Sequence, residues 1–106
     1  MTSPDAYRAI VTSSVIVATK DQVSSDLAGE AVVLSLRTGM YYGLAQVGLR
    51  IWELVREPTR AADLCEVIVR EYDVEPERCE HDVLDLLSEL AAQGLVEVRD
   101  EAGAAP

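Results

Sequence analysis

The chain has 106 residues, enough for one domain with a single core. Hydrophobic residues make up 49%, which argues against a disordered tail, and with no phenylalanine, one tryptophan and four tyrosines the core must be aliphatic. Nine basic against nineteen acidic residues give a formal net charge of −10, which argues against a nonspecific grip on nucleic acid or docking on anionic lipid.

In chain order, residues 1–13 read as a flexible lead-in. Residues 14–19 (SVIVAT) are β-branched and read as a first strand. Lys20 to Gly29 reads as a polar connection. Glu30 to Leu36 is a second strand, in which Val32, Leu34 and Leu36 form the more apolar face. Arg37-Thr38-Gly39 is a tight turn in which Gly39 takes positive φ. Met40 to Leu44 is a third strand, with Met40, Tyr42 and Leu44 on one face and Tyr41 and Gly43 on the other. The period then lengthens to about 3.6. Val47, Ile51, Leu54 and Val55 line a first helix, flanked by Trp52, that stops at Pro58. Thr59 is placed to cap a second, lined by Ala61, Leu64, Ile68 and Tyr72. Pro76 suits the first turn of a third, which runs to about Gln93. Gly94 supplies a left-handed stop and Leu95 packs back. Residues 95–98 read as a short extended segment, and 99–106 as a flexible tail.

Strands followed by helices, with no repeat or linker, imply one α+β domain over residues 14–98. Its expected form is winged helix-turn-helix-like: a three-stranded antiparallel sheet followed by three helices. Pairing in sequence order makes the third strand an edge, open to an added strand or to strand-mediated self-association. The third helix has an apolar arc (Val83, Leu84, Leu86, Leu87, Leu90, Ala91) of about 160°, wider than the ~100° of an ordinary surface helix. Asp82, Asp85 and Glu89 border it on the Leu86 side. The arc reads either as the centre of a small core or as a core with one flank open to a partner.

The sequence lacks a nucleophile elbow, a phosphate-binding loop and a paired-carboxylate site, so no catalytic residue and no enzyme activity are assigned. Cys65 and Cys79 read as small hydrophobes and His81 as a solvated helix residue; they form no metal-site spacing, and no metal or cofactor is expected. No signal peptide and no membrane-length apolar run is read, so the expected location is cytoplasmic.

The run Val33-Leu34-Ser35-Leu36-Arg37-Thr38-Gly39-Met40-Tyr41-Tyr42-Gly43-Leu44, followed by Gly48 and Ile51-Trp52, resembles the PqqD family. Tyr72-Asp73-Val74, Pro76, Asp82-Val83-Leu84 and Gly94-Leu95-Val96 extend the resemblance over residues 14–98. It implies a recognition element for the leader segments of ribosomally made precursor peptides. The wording is most similar to the discrete leader-binding proteins of lasso peptide clusters. The implied binding mode is addition of the leader as an antiparallel strand to the third strand, in a groove against the third helix. Met40, Tyr41, Tyr42, Gly43 and Leu44 then form one wall and Val83, Leu86, Leu87 and Leu90 the other. Asp82, Asp85 and Glu89 are placed to meet basic residues of the leader. The implied partners are the precursor leader, a cysteine leader peptidase and a lasso cyclase. A peptide chaperone serving a radical enzyme is the alternative from the same family; a winged-helix DNA-binding regulator is disfavoured by the net charge. One departure from the family wording is Ala45, where Asn is frequent after the strand.

Overall fold

A computed structural model describes residues 10–99. The chain runs β1 (Val15–Ala18), β2 (Gln22–Leu27), β3 (Glu30–Ser35), β4 (Tyr41–Ala45), α1 (Val47–Leu54), β5 (Thr59–Arg60), α2 (Ala61–Glu71), α3 (Pro76–Ala92) and β6 (Val96–Arg99). The class is α+β with three helices, as expected, but the strands divide between two antiparallel sheets, β2-β3-β4 and β5-β1-β6.

Two features depart from the sequence reading. The stretch read as a polar connection contains β2, which pairs with β3 from Gln22↔Ser35 to Leu27↔Glu30. The turn between them is the two-residue pair Ala28-Gly29, with φ of 47° and 88°. A tight hairpin with two positive φ values is ordinarily announced by Asn-Gly or Asp-Gly, and here it is hidden behind Ala-Gly. The first strand, in turn, lies outside the meander: β1 pairs with β6 from Val15↔Arg99 to Ala18↔Val96, and with β5. The segment expected after the third helix therefore completes a sheet of its own.

Alternation in β3 also runs opposite to the apolar count. Ala31, Val33 and Ser35 are buried, whereas Val32 and Leu34 are half-buried and Leu36 is exposed. Small residues face inward because the helices pack closely beneath the meander. The core gathers Ile16, Val33, Ile51, Trp52, Val55, Leu64, Ile68, Leu87 and Leu95, all fully buried. Trp52, placed on a flank by helical phase, sits at its centre. Arg56 lies 5.6 Å over the indole and donates to Ser24 Oγ at 2.9 Å, fastening the end of α1 to β2. Ile10 is buried as well, and Ala62 N–H donates to Thr12 O, so residues 10–12 of the expected lead-in dock on the domain. Residues 1–9 and 100–106 of the expected flexible ends lie outside the described residues.

The helices are joined by polar contacts at their ends. Arg50 forms a two-pronged pair with Glu71 (2.9 and 3.0 Å) that links α1 to α2. Hydrogen bonding to Glu71 raises the Arg50 pKa, and the same bond lowers that of Glu71. Thr59 does not cap α2, whose cap residue is Arg60. Its hydroxyl donates instead to Leu54 O and Glu57 O, closing the end of α1. Gly94 takes φ 79°, and Leu95 N–H reaches back to Leu90 O as a left-handed helix stop requires.

Candidate functional site

The meander has two edges, and β4 is the one that leads into the helices. Register and hydrogen bonding fix which of its backbone groups are free. Ser35 N–H donates to Met40 O at the hairpin, so the alternation of antiparallel ladders turns Tyr42 and Leu44 toward β3. The N–H and C=O groups of Tyr41, Gly43 and Ala45 point away from the sheet. A proline at Tyr42 would therefore remove a donor of the β3 ladder, not one open to an added strand.

Side chains alternate in the opposite sense. Tyr42 and Leu44 face inward, half-buried and buried, and pack on the core. Tyr41, 68% exposed, faces outward with Gly43. It lies in register with Leu34 and Val23, forming one apolar row across the outer face of the sheet. Met40 is exposed just ahead of β4.

Directly beyond β4, a cavity of about 380 Å³ opens among the helices. Val47, Gly48 and Ile51 of α1 line it, with Ile68 of α2, Val74 of the α2–α3 link, and Cys79, Asp82, Val83 and Leu86 of α3. Leu44 of β4 packs beside this lining, its Cδ2 lying 3.5 Å from where a Cβ on Gly48 would stand. Glycine is a poor helix former; at Gly48 its bare backbone lets Leu44 pack close against α1.

The site residues expected from the sequence fall into distinct groups. Asp82, Val83 and Leu86 line the cavity. Leu87 and Leu90 lie in the core, at 0% and 3% exposure, and present no surface to a partner. Asp85 and Glu89 are exposed along the same helix. Asp82 pairs loosely with Arg78 at 3.7 Å, and Asp85 lies 3.3 Å from His81 Nε2. Val47, Gly48, Val74 and Cys79 were not among the expected residues. Gly48 carried the one available signal, as a glycine inside an otherwise helical stripe.

Cys79 is buried and Cys65 half-buried, and both thiols are free. Burial pushes the Cys65 thiol up to about 11, helped by the neighbouring Cys79 and Glu80, and burial raises Cys79 as well. Neither is primed as a nucleophile. Among the described residues, no group of three metal-ligating side chains forms and no helix is long and apolar enough to cross a membrane.

An unpaired strand edge thus lies beside a mostly apolar cavity whose lining carries one acid, Asp82. The sequence profile described as "Coenzyme PQQ synthesis protein D (PqqD)" matches residues 30–96, more than half of the chain. The chain belongs to the PqqD family. Among solved structures, it is similar to "TbiB1 in Complex with the TbiA(beta) Leader Peptide", with 38% identity and a TM-score of 0.71, covering 76% of this chain and 94% of that one. A second, "Lasso peptide synthetase B1 complexed with the leader peptide", shares the fold at 22% identity and a TM-score of 0.69, covering 77% of this chain and 96% of that one. No curated protein matches the chain. The PqqD match begins at β3 and ends at β6, so it spans β4 and all three helices that line the cavity.

Proposed function

We propose that this PqqD-family protein is a non-catalytic binder of the leader region of a lasso-type precursor peptide. The leader adds as an antiparallel strand to the free edge of β4. Tyr41, Gly43 and Ala45 exchange backbone hydrogen bonds with it, and alternate leader side chains turn inward over the α1–α3 cavity. Backbone pairing supplies affinity without reading sequence; the cavity and the carboxylates of α3 supply selection. Bound in this way, the leader is presented to a separate cysteine leader peptidase and a lasso cyclase.

The observation that carries this reading is the nearness of the β4 edge to the cavity, with Leu44 packed beside the lining residue Gly48. The TbiB1 likeness supports it, because that protein holds a leader peptide and is similar over nearly its whole length. The test is titration of a synthetic leader from the precursor encoded beside this gene, followed by anisotropy or calorimetry. Saturable binding is expected; no binding at high micromolar concentration overturns the reading. The PqqD match keeps a second reading in view, a peptide chaperone for a radical enzyme. A radical-enzyme gene next to this one, in place of genes for a peptidase and a cyclase, would favour it.

A further inference from the structure

The two walls of the proposed groove belong to different parts of the fold. β4 is a strand of the meander, and α3 belongs to the helical layer. Their separation depends on what fastens one to the other. At the C-terminus of α3 three successive carbonyls, those of Ala92, Gln93 and Gly94, lie beyond the reach of ordinary intrahelical donors. Each accepts from a side chain of the strand layer. Ser35 Oγ donates to Gln93 O at 2.8 Å, Thr19 Oγ1 to Gly94 O at 2.7 Å, and the Arg37 guanidinium reaches Ala92 O at 3.5 Å.

Each of these donors is tied to the hairpins. Ser35 is the one buried polar residue among those described, at 0% exposure, and its oxygen also accepts from Thr38 N–H at 3.2 Å. It therefore joins the β3–β4 turn to the helix end in a single hydroxyl. Thr19 Oγ1 accepts from Asp21 N–H at 3.2 Å, and Asp21 O in turn accepts from Leu36 N–H at 2.9 Å. Arg37 lies so close over Gly94 that a Cβ there would stand 3.0 Å from its guanidinium carbon. The last turn of α3 has no basic residue of its own, so Arg37 supplies the cation that suits the negative end of the helix dipole.

We infer that this lock is a positioning device, and that Ser35 sets the spacing of α3 from β4 and so the affinity of the groove. The inference rests on the leader-binding reading. β4 begins six residues after Ser35, and α3 ends at the carbonyl preceding the one that Ser35 holds. A displacement at this joint therefore opens or closes both walls together.

The experiment compares Ser35→Ala, Thr19→Val and Thr59→Ala with the unaltered protein. Each is titrated with the fluorescent synthetic leader of the precursor encoded beside this gene, at a temperature where Trp52 fluorescence shows every variant folded. Under that condition, lost stability alone does not move a dissociation constant. Ser35→Ala is expected to weaken binding at least about tenfold, and Thr19→Val at least about threefold. Thr59→Ala removes a comparable hydroxyl bond at the end of α1, outside the lock, and is expected to stay within about twofold. If Ser35→Ala does not fold, Thr19→Val decides alone. Binding by the unaltered protein with no loss in the lock variants overturns this inference and leaves the function standing. Absence of binding by the unaltered protein overturns both.

Discussion

Leu44 Cδ2 stands 3.5 Å from the position that a Cβ on Gly48 would take, which places the last inward residue of β4 beside a residue that lines the α1–α3 cavity. That spacing is ordinary van der Waals contact, so the fold tolerates a methyl there. Gly48→Ala is expected to stabilise the protein by about 0.5 kcal/mol through helix propensity. Gly48→Leu places a larger side chain between Leu44 and the cavity lining and is expected to weaken leader binding at least tenfold while the protein stays folded. Chemical denaturation followed by Trp52 fluorescence, together with leader titration, checks both halves. Unchanged leader affinity for Gly48→Leu would remove the cavity from the binding site.

The β4 ladder makes a sharper contrast between neighbouring positions. Gly43 presents its N–H outward, so Gly43→Pro deletes a docking donor without touching the β3–β4 ladder. Tyr42→Pro deletes a ladder donor and destabilises the sheet. Leader binding is expected to be lost in folded Gly43→Pro, whereas Tyr42→Pro is expected to lower the melting temperature. Circular dichroism and titration separate the two effects. Full affinity in Gly43→Pro would move the docking strand elsewhere.

Much of the fold was legible because local chemistry and tertiary packing agree. The change of period after Leu44, the Gly94 stop and the Pro76 start all appear in the structure. The missed strand β2 has the opposite character: Val23 and Leu27 are its only large apolar residues, and both are exposed. Its pairing is held by β3 and by a turn without the usual residues. The separation of β1 from the meander was hidden for a different reason. Its partner β6 lies at the other end of the sequence, and strand spacing says nothing about such long-range pairing. For the candidate site, alternation and pairing in sequence order marked β4 as an edge strand, and helical phase placed the acids of α3 beside Leu86 without deciding which flank of the helix faces a groove. The cavity could not be read in this way, because it is formed where three helices meet.

Gln46 joins β4 to α1 at φ 54° and ψ −121°, and its side chain makes no capping bond. For a residue with a Cβ this backbone is costly, and glycine adopts it freely. Gln46→Gly is expected to raise stability by about 1 kcal/mol, measured as a shift of the denaturation midpoint at constant slope. A loss of stability would mean that the Gln46 side chain holds this joint in a way its contacts do not reveal.

The Cys65 thiol, with its pKa raised to about 11 chiefly by burial, should resist alkylation. At pH 8 the thiolate population is about 100-fold smaller than for a thiol at the ordinary value of 9.0. Carboxymethylation of Cys65, followed by mass spectrometry, is expected to be slow at pH 8 and to rise toward a midpoint near 11. The sign for stability follows from the raised value. The folded state keeps its proton longer than the unfolded chain, so the contribution is complete below about pH 9 and is lost as pH rises through 11. Rapid modification at pH 8 in the folded protein would contradict the burial.

The whole charge excess lies in residues 53–106, whereas the docking strand belongs to the neutral half, where Arg8, Lys20, Arg37 and Arg50 balance Asp5, Asp21, Asp26 and Glu30. In the proposed mode, a leader bound on β4 would meet backbone groups on one side and the carboxylates of Asp82, Asp85 and Glu89 on the other. Its basic residues are expected to face α3, exchanging with Arg78 at Asp82 and with His81 at Asp85. Such exposed charges are screened over about 10 Å at 0.1 M salt and about 3 Å at 1 M. Leader affinity is expected to fall several-fold across that range. Combining Asp82→Asn, Asp85→Asn and Glu89→Gln is expected to flatten the salt dependence while leaving most of the high-salt affinity, which comes from strand pairing. If affinity does not change with salt, the electrostatic contribution of α3 is absent and the β4 edge with its cavity accounts for the binding.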